Sequence, residues 1–433
     1  MKKLLMVLYQ FPPCNDVGSY RPVKFIKNLE TFGWYPIVLT PRNGVYFSYD
    51  SKAENAVRKK CTVYRSSFLL PFNFLRELPM EKSQKLHKLL WRVWNRIALP
   101  DGAASWIPSA TLEGLRLVEK EGVEVVFASG QPFSTFIIAC LIKRLSQNRD
   151  LKLILDYRDP WILNPFYKGS KIRRECERRL EEAVLRQADA VVAVSDEALD
   201  FQYHGFKNSI GRDKLHVITN SFEGNSLKHQ ADIQTDTQAD TQREKFVIVH
   251  AGNFYGTRNP EIFLKGLSLA ATRNKNFAHR VKVYFYGNYD HQGVQKIIHE
   301  LQITSLVNLC PRIPQNELVQ RLLEADLLLL INSYGPGHDI FIPAKFFDYL
   351  KIRKPILCLA EDGALKRAVQ KTHAGTTVDP RDHNQAARTL EELYNRISVQ
   401  KIPYTLSEDN IREYESYFTT GKLAALCDRL LTH

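Results

Sequence analysis

The chain has 433 residues, 44% of them hydrophobic and 25% charged, with a formal net charge of +13. That length is too great for one ordinary core and suits two domains of about 200 residues each, while the balance of apolar and charged residues excludes a disordered or fibrous chain. The basic excess is lopsided: residues 1–225 carry 34 Lys and Arg against 24 Asp and Glu, and residues 226–433 carry 26 against 23. It implies an anionic partner, such as a phosphate-bearing substrate or a membrane surface, and the absence of any nucleic-acid-binding motif sets DNA and RNA aside.

In chain order, residues 3–9 read as a buried strand. The Lys-Lys-Leu-Leu start lacks the small-residue cleavage site of a signal peptide. Phe11-Pro12-Pro13 ends the strand, residues 14–21 with Gly18 form a loop, and a helix is expected from about 22 to 32. Residues 37–40 are the second strand, so this is a βαβ unit with its loop at the carboxyl edge of a sheet. No G-x-G-x-x-G accompanies it, which argues against a nicotinamide dinucleotide site. Residues 51–100 hold eleven Lys or Arg and three Glu. Within them Leu86, Leu89, Leu90, Val93, Trp94, Ile97 and Ala98 keep helical spacing, with Lys82, Lys85, Lys88, Arg92 and Arg96 on other faces. Such a helix, also carrying Trp91, either lies on an anionic membrane or packs on its own domain. Residues 123–128 and 151–155 are strands, with a helix over 134–145 between them. The second of these strands delivers Asp156, Arg158 and Asp159 to its carboxyl end. There they either orient and deprotonate an acceptor hydroxyl or brace the strand end internally. A charged helix over 171–187 and strands at 190–195 and 215–220 complete the first half. Residues 226–244 are a polar, repetitive linker.

The second half restarts the alternation. Residues 246–250 are a strand, Gly252 and Asn253 follow it, and Arg258 stands just before the Pro260 that starts a helix to about 272. A Gly at a strand end with an Arg before a helix N-terminus builds an anion site. Strands at 281–286 and 307–309 follow, then Arg312-Ile313, and the apolar run 327–331 is another buried strand. A Gly-rich loop from Ser333 leads into a helix that begins after Pro343 and stops before Pro355. Lys345 lies in its first turn, where it adds a full charge to the positive end of the helix dipole, and Asp348 lies on the same face three residues on. A diphosphate at the helix start and a ribose at the acid would fit a nucleotide sugar. A strand at 375–378 and helices beyond 384 and 408 close the chain. The seven cysteines have no Cys-x-x-Cys pair and no ligand spacing to the twelve histidines, so a reducing compartment and no metal site are expected. The apolar runs near 136–142 and 325–331 fall far short of the ~20 residues that span a bilayer.

Three stretches together resemble one family. Phe-Pro-Pro with Gly-Ser-x-Arg-Pro, Ser-Gly-x-Pro followed by Asp-Tyr-Arg-Asp-Pro-Trp, and Pro-x-Lys-Phe-Phe-Asp-Tyr-Leu followed by Arg-Lys-Pro-Ile-Leu are similar to segments of the family-4-like retaining glycosyltransferases of the GT-B fold. The resemblance implies an α/β chain of two Rossmann-like, doubly wound domains facing across a cleft: an acceptor domain at 1–225, the linker at 226–244, a donor domain at 245–407, and a C-terminal segment at 408–433 returning to the first domain. It implies donor contacts from Gly18, Gly252, Asn253, Arg258, Arg312, Ile313, Lys345 and Asp348, and catalysis by Asp156, Arg158, Asp159, Arg258 and Lys345. The co-substrate would be a nucleoside-diphosphate sugar, with no metal and no other cofactor. The acceptor would be a glycan or a lipid-linked glycan in bacterial surface polysaccharide synthesis; the chain is expected to be cytoplasmic, with the basic helix as its means of docking at the inner face of the plasma membrane. Two departures stand out. The family's second acid, eight residues before Asp348, is Ile340 here with Asp339 beside it, and the His common near residues 156–161 is missing. A nucleotide-sugar epimerase on the same fold, or a non-catalytic partner in a polysaccharide assembly complex, are the rival expectations.

Overall fold

A computed structural model describes residues 1–46, 48–50, 54–55, 57–68, 89–91, 93–224 and 245–432. The chain divides into two compact units, Met1–Ser221 with Ser416–His433, and Phe222–Glu415. The linker expected at 226–244 lies outside the described residues.

The first unit is built on seven parallel strands: β1 (Lys2–Val7), β2 (Trp34–Pro41), β3 (Thr62–Ser66), β4 (Val125–Gly130), β5 (Lys152–Tyr157), β6 (Ala190–Ala193) and β7 (Leu215–Val217), in the order β3-β2-β1-β4-β5-β6-β7. A parallel sheet joined by helical crossovers is covered on both faces, so its central strands are apolar throughout rather than alternating. Leu5 and Val7 join one core with Leu117, Phe136 and Ile138. Leu4 and Met6 join the other with Phe25 and Ile26 of the helix Val17–Leu29 and with Leu423 and Ala424 of the helix Ser416–Thr432. That last helix is pinned at Asp428, which accepts from Trp34 Nε1 at 3.1 Å and from Lys2 Nζ at 2.7 Å.

The first helix starts at Val17 rather than near residue 22, so Gly18 sits in its first turn and not in a loop. Pro22 is accommodated close to the N-terminus, where its missing N–H leaves only the Gly18 carbonyl without a helical donor. The strand order reverses between β1 and β4. In a doubly wound sheet that reversal opens a crevice at the strand carboxyl ends.

The second unit repeats the plan with six parallel strands: β8 (Phe246–Ala251), β9 (Val281–Tyr286), β10 (Val307–Cys310), β11 (Leu327–Ile331), β12 (Ile356–Leu359) and β13 (Gly375–Val378), in the order β10-β9-β8-β11-β12-β13. Ile248 packs with Phe263, Leu264 and Leu267 on one face, and Val249 with Phe346, Tyr349 and Leu350 on the other. Here the order reverses between β8 and β11. The short helix Glu408–Arg412 belongs to this unit, held by Arg353 to Glu408 at 2.9 Å and, just past it, by Lys371 to Glu413 at 2.6 Å.

Of the basic helix expected around 86–98, Lys82, Lys85, Lys88 and Arg92 lie outside the described residues. In the described part, Leu90, Trp91 and Trp94 pack against the first core, and Trp94 Nε1 donates to the Gly102 carbonyl at 2.9 Å. Both tryptophans are therefore taken up by their own unit. Leu89, Val93 and Ile97, at i, i+4 and i+8, stand outward with exposures of 54%, 46% and 71%. Among the described residues no helix is long and apolar enough to cross a membrane.

Candidate functional site

At the switch point of the second sheet, the loop after β8 and the loop after β11 meet. The β8 loop is a tight turn: Tyr255 and Arg258 exchange backbone hydrogen bonds at 2.9 and 3.0 Å across Gly256, whose φ of +56° is left-handed. It is tied to the β11 loop through Thr257, whose hydroxyl donates to the Tyr334 carbonyl at 3.0 Å. The β11 loop is tied onward by the Gly335 N–H, which donates to Glu361 at 2.7 Å. These bonds leave little freedom for the charged groups the loops carry.

Arg258 folds back over Tyr255, 4.9 Å from the ring centroid, and its Nη2 donates to Asn332 Oδ1 at 3.1 Å. Its Nε is buried without a hydrogen-bond partner, and it makes no ion pair among the described residues. Burial pushes its pKa down. Lys345 stands in the first turn of the helix Ala344–Ile352, which opens at Pro343. Its stem passes so close to Gly252 that a Cβ there would lie 2.7 Å from Lys345 Cε, so any larger residue would push the Lys345 side chain aside. Burial lowers the Lys345 pKa, Asp348 pulls it back up, and Arg258 and Arg312 add to the lowering. Two partly buried cations beside a helix N-terminus are each held at a cost that a bound anion would relieve.

Beneath them is His250, the penultimate residue of β8, only 2% exposed. Its ring stacks on Phe254 at 4.7 Å, and its Nδ1 lies 2.9 Å from the Leu329 carbonyl, so Nδ1 carries the proton. Its Nε2 has no partner. Burial, with Lys345 and Arg258 nearby, pushes the imidazole down to about 3, and it is neutral at physiological pH.

The remaining donor-side candidates are arranged around this cluster or apart from it. Asn253 is exposed, and its Oδ1 accepts from the Asn288 N–H at 2.9 Å, joining the loops after β8 and β9. Asp348 is exposed on the helix that carries Lys345. Arg312 is exposed and Ile313 half-buried in the loop after β10. Ile340 is a core residue at 2% exposure, whereas Asp339 is exposed and its backbone carbonyl accepts from the Ala364 N–H at 2.8 Å.

In the first unit Asp156 and Arg158 are bound by neighbouring groups. Asp156 is fully enclosed at 0% exposure. Arg21 reaches it from the first helix, with Nη2 at 2.9 Å and Nε at 3.1 Å from Oδ1, and Ser129 donates to its Oδ2 at 2.8 Å. Arg21 also donates to the carbonyls of Ile218 at 2.8 Å and Thr219 at 2.7 Å. Asp156 is thus an enclosed carboxylate already bound by Arg21 and Ser129, and its ion-pair partner is Arg21 rather than the neighbouring Arg158. Arg158 donates to the carbonyls of Gly130 and Gln131 and to Gln10 Oε1 at 3.0 Å. Gly18 makes this possible: a Cβ there would lie 1.6 Å from Gln10 Oε1 and 2.0 Å from Arg158 Nη1. Burial lowers the Arg158 pKa and raises that of Asp159, which Arg158 opposes.

Sequence reasoning did not single out His250, Asn332 or the Arg21–Asp156 pairing. The signal for His250 was a lone polar residue closing an otherwise apolar strand.

No family model matches this sequence, and no curated protein matches it. Solved structures do. A glycosyltransferase from Rickettsia africae aligns over 100% of this chain and 99% of its own, at 11% identity and a TM-score of 0.63. HepE of Anabaena, in complex with UDP, aligns over 99% of this chain and 100% of its own, at 12% identity and a TM-score of 0.62. The lipopolysaccharide outer core galactosyltransferase WaaB aligns over 99% and 100%, at 12% identity and a TM-score of 0.58. The fold is GT-B. At these identities the likeness speaks for the fold and not for the chemistry. Within the GT-B architecture each doubly wound unit offers one switch point, and in this chain the two are chemically unlike: the second gathers Arg258, Lys345 and His250, and in the first Arg21 and Asp156 form a buried ion pair.

Proposed function

We propose that the protein is a glycosyltransferase that takes its sugar from a nucleoside diphosphate and passes it to an acceptor hydroxyl. The observation that carries this is the convergence of Arg258, Lys345 and a helix N-terminus at the switch point of the second sheet, with an Arg258 Nε that is buried and unpartnered. A diphosphate supplies the anion these groups lack. Asp348 would take the ribose hydroxyls, and Arg312 and Ile313 would lie toward the base. HepE, a structural neighbour, binds UDP and UDP-glucose.

The departing diphosphate gains charge in the transition state. Arg258, Lys345 and backbone N–H groups would meet that charge without a metal; donors fixed in place before the reaction are often the largest catalytic contribution. In the first unit Arg158 and Asp159 would face the acceptor, with Asp156 holding the strand end that carries them. Transfer with retention, in bacterial surface polysaccharide synthesis, is the form of the activity the resemblance favours. The outward Leu89, Val93 and Ile97, in a basic stretch of the chain, favour a peripheral position on an anionic cytoplasmic leaflet. Co-sedimentation with vesicles checks this: binding should need anionic lipid and fall with added salt.

Thermal shift and calorimetry with UDP, GDP and their glucose and mannose conjugates test the donor directly. A ligand at ~100 times its dissociation constant stabilises the fold by roughly 2.7 kcal/mol. No shift with any of them would remove the nucleotide-sugar assignment, and conversion of a free sugar nucleotide without transfer would instead make the protein an epimerase.

A further inference from the structure

His250 has no part in the anion cradle as described, yet it is the most constrained polar group at the switch point. Its Nδ1–H is committed to the Leu329 carbonyl, and its ring is fixed between Phe254 and Phe285, with centroids at 4.7 and 5.9 Å. What remains is one lone pair on Nε2, buried and unpartnered. It is directed at Gly252, where an added Cβ would stand 3.1 Å from Nε2 and 2.7 Å from Lys345 Cε. The ring, the Gly252 backbone and the Lys345 stem are thus packed side by side, and a group that reaches Nε2 does so by displacing the end of the Lys345 side chain.

A buried acceptor left empty costs free energy, so a donor is expected to fill it when the site is occupied. The protein does not supply that donor: Lys345 passes alongside, but Nε2 has no hydrogen-bond partner. A phosphate oxygen cannot supply it either. Each phosphate of a nucleoside-diphosphate sugar carries one ester and one anhydride link, which leaves it a single negative charge and no proton, and a neutral imidazole lone pair repels such an oxygen. The low pKa of the ring keeps it an acceptor across the physiological range. On the ligand the O–H groups are those of the ribose and of the sugar, and the ribose is assigned to Asp348.

Resting on the nucleotide-sugar reading above, we propose that His250 is a specificity-determining residue whose Nε2 accepts a hydroxyl of the sugar carried on the diphosphate. The sugar is then recognised from the same strand end that anchors the diphosphate. A sugar lacking that hydroxyl, or presenting an ether oxygen in its place, leaves the acceptor unpaired and is disfavoured.

Calorimetry on the full chain, with UDP against UDP-glucose and GDP against GDP-mannose, tests this in the wild type, His250→Phe and His250→Asn. Phe keeps the aromatic stack and deletes both nitrogens. Asn keeps an N–H for the Leu329 carbonyl and has no atom at the place of Nε2. The expected result is that the ratio of sugar-nucleotide to bare-diphosphate affinity falls about tenfold in each variant that folds, with bare-diphosphate affinity unchanged. An unchanged ratio overturns the proposal, as does an equal loss for the bare diphosphate, which would make His250 a support for Lys345 and Arg258. Should the wild type bind none of the four, the nucleotide-sugar reading falls and this one with it.

Discussion

The two sheets of this molecule share a topology and differ in what they do with charge. At the switch point of the first, Arg21 is matched by Asp156 and two backbone carbonyls, Asp156 accepts in addition from Ser129, and Arg158 is matched by two carbonyls and Gln10. At the switch point of the second, Arg258 donates to Asn332 and keeps an unpartnered Nε, while His250 keeps an unpartnered Nε2. Unpartnered hydroxyls occur in the first unit too, at Tyr157 and Thr219, but the unpartnered groups at the second switch point are a guanidinium and an imidazole nitrogen, the kinds of group that a bound ligand would satisfy. The same topological position thus holds an internal ion pair in one unit and, on the reading proposed above, a diphosphate site in the other.

The largest expected effect breaks the ion pair. Asp156→Ala leaves the Arg21 guanidinium enclosed without its counter-charge, and stripping one partner from a buried pair costs roughly 3–5 kcal/mol. The urea midpoint should fall accordingly, whereas Arg258→Ala should leave it where it is. A variant that keeps wild-type stability but loses turnover would place Asp156 in the chemistry instead. A smaller effect belongs to the second unit. Asp348 is exposed, so Asp348→Ala removes no core volume. It should weaken nucleotide binding by roughly 1.5–3 kcal/mol, the worth of a hydrogen bond to a charged group, while leaving the fold intact. Unchanged affinity in calorimetry would take Asp348 out of the site.

Much of the architecture was legible because parallel strands covered on both faces must be apolar throughout. Val125–Gly130, Leu327–Ile331 and Phe246–Ala251 stand out for that reason. β3 does not: Thr62–Ser66 is an edge strand, mostly half-buried, and its mixed Thr-Val-Tyr-Arg-Ser carries no such run. The early start of the first helix is hidden by Pro22, which reads as a boundary in sequence and is tolerated near a helix N-terminus in fact. Site legibility followed local geometry. Lys345 and Asp348 were visible because three residues on one helix place them on one face. The Arg21–Asp156 pair was not, since 135 positions separate its members and either could have served solvent. Trp91 and Trp94 could have faced a membrane by helical spacing alone, and only packing turns them inward. His250 was passed over because a polar residue at a strand end is more often a surface residue than a buried acceptor.

The central claim is that Arg258 and Lys345 stabilise a leaving diphosphate. Steady-state kinetics of Arg258→Ala and Lys345→Ala, with the sugar nucleotide the wild type binds best, test it most directly. Because the leaving group gains charge only on the way to the transition state, kcat should fall more than KM rises in each variant, by about 10²-fold or more. Normal turnover by both variants at saturating donor would contradict the account.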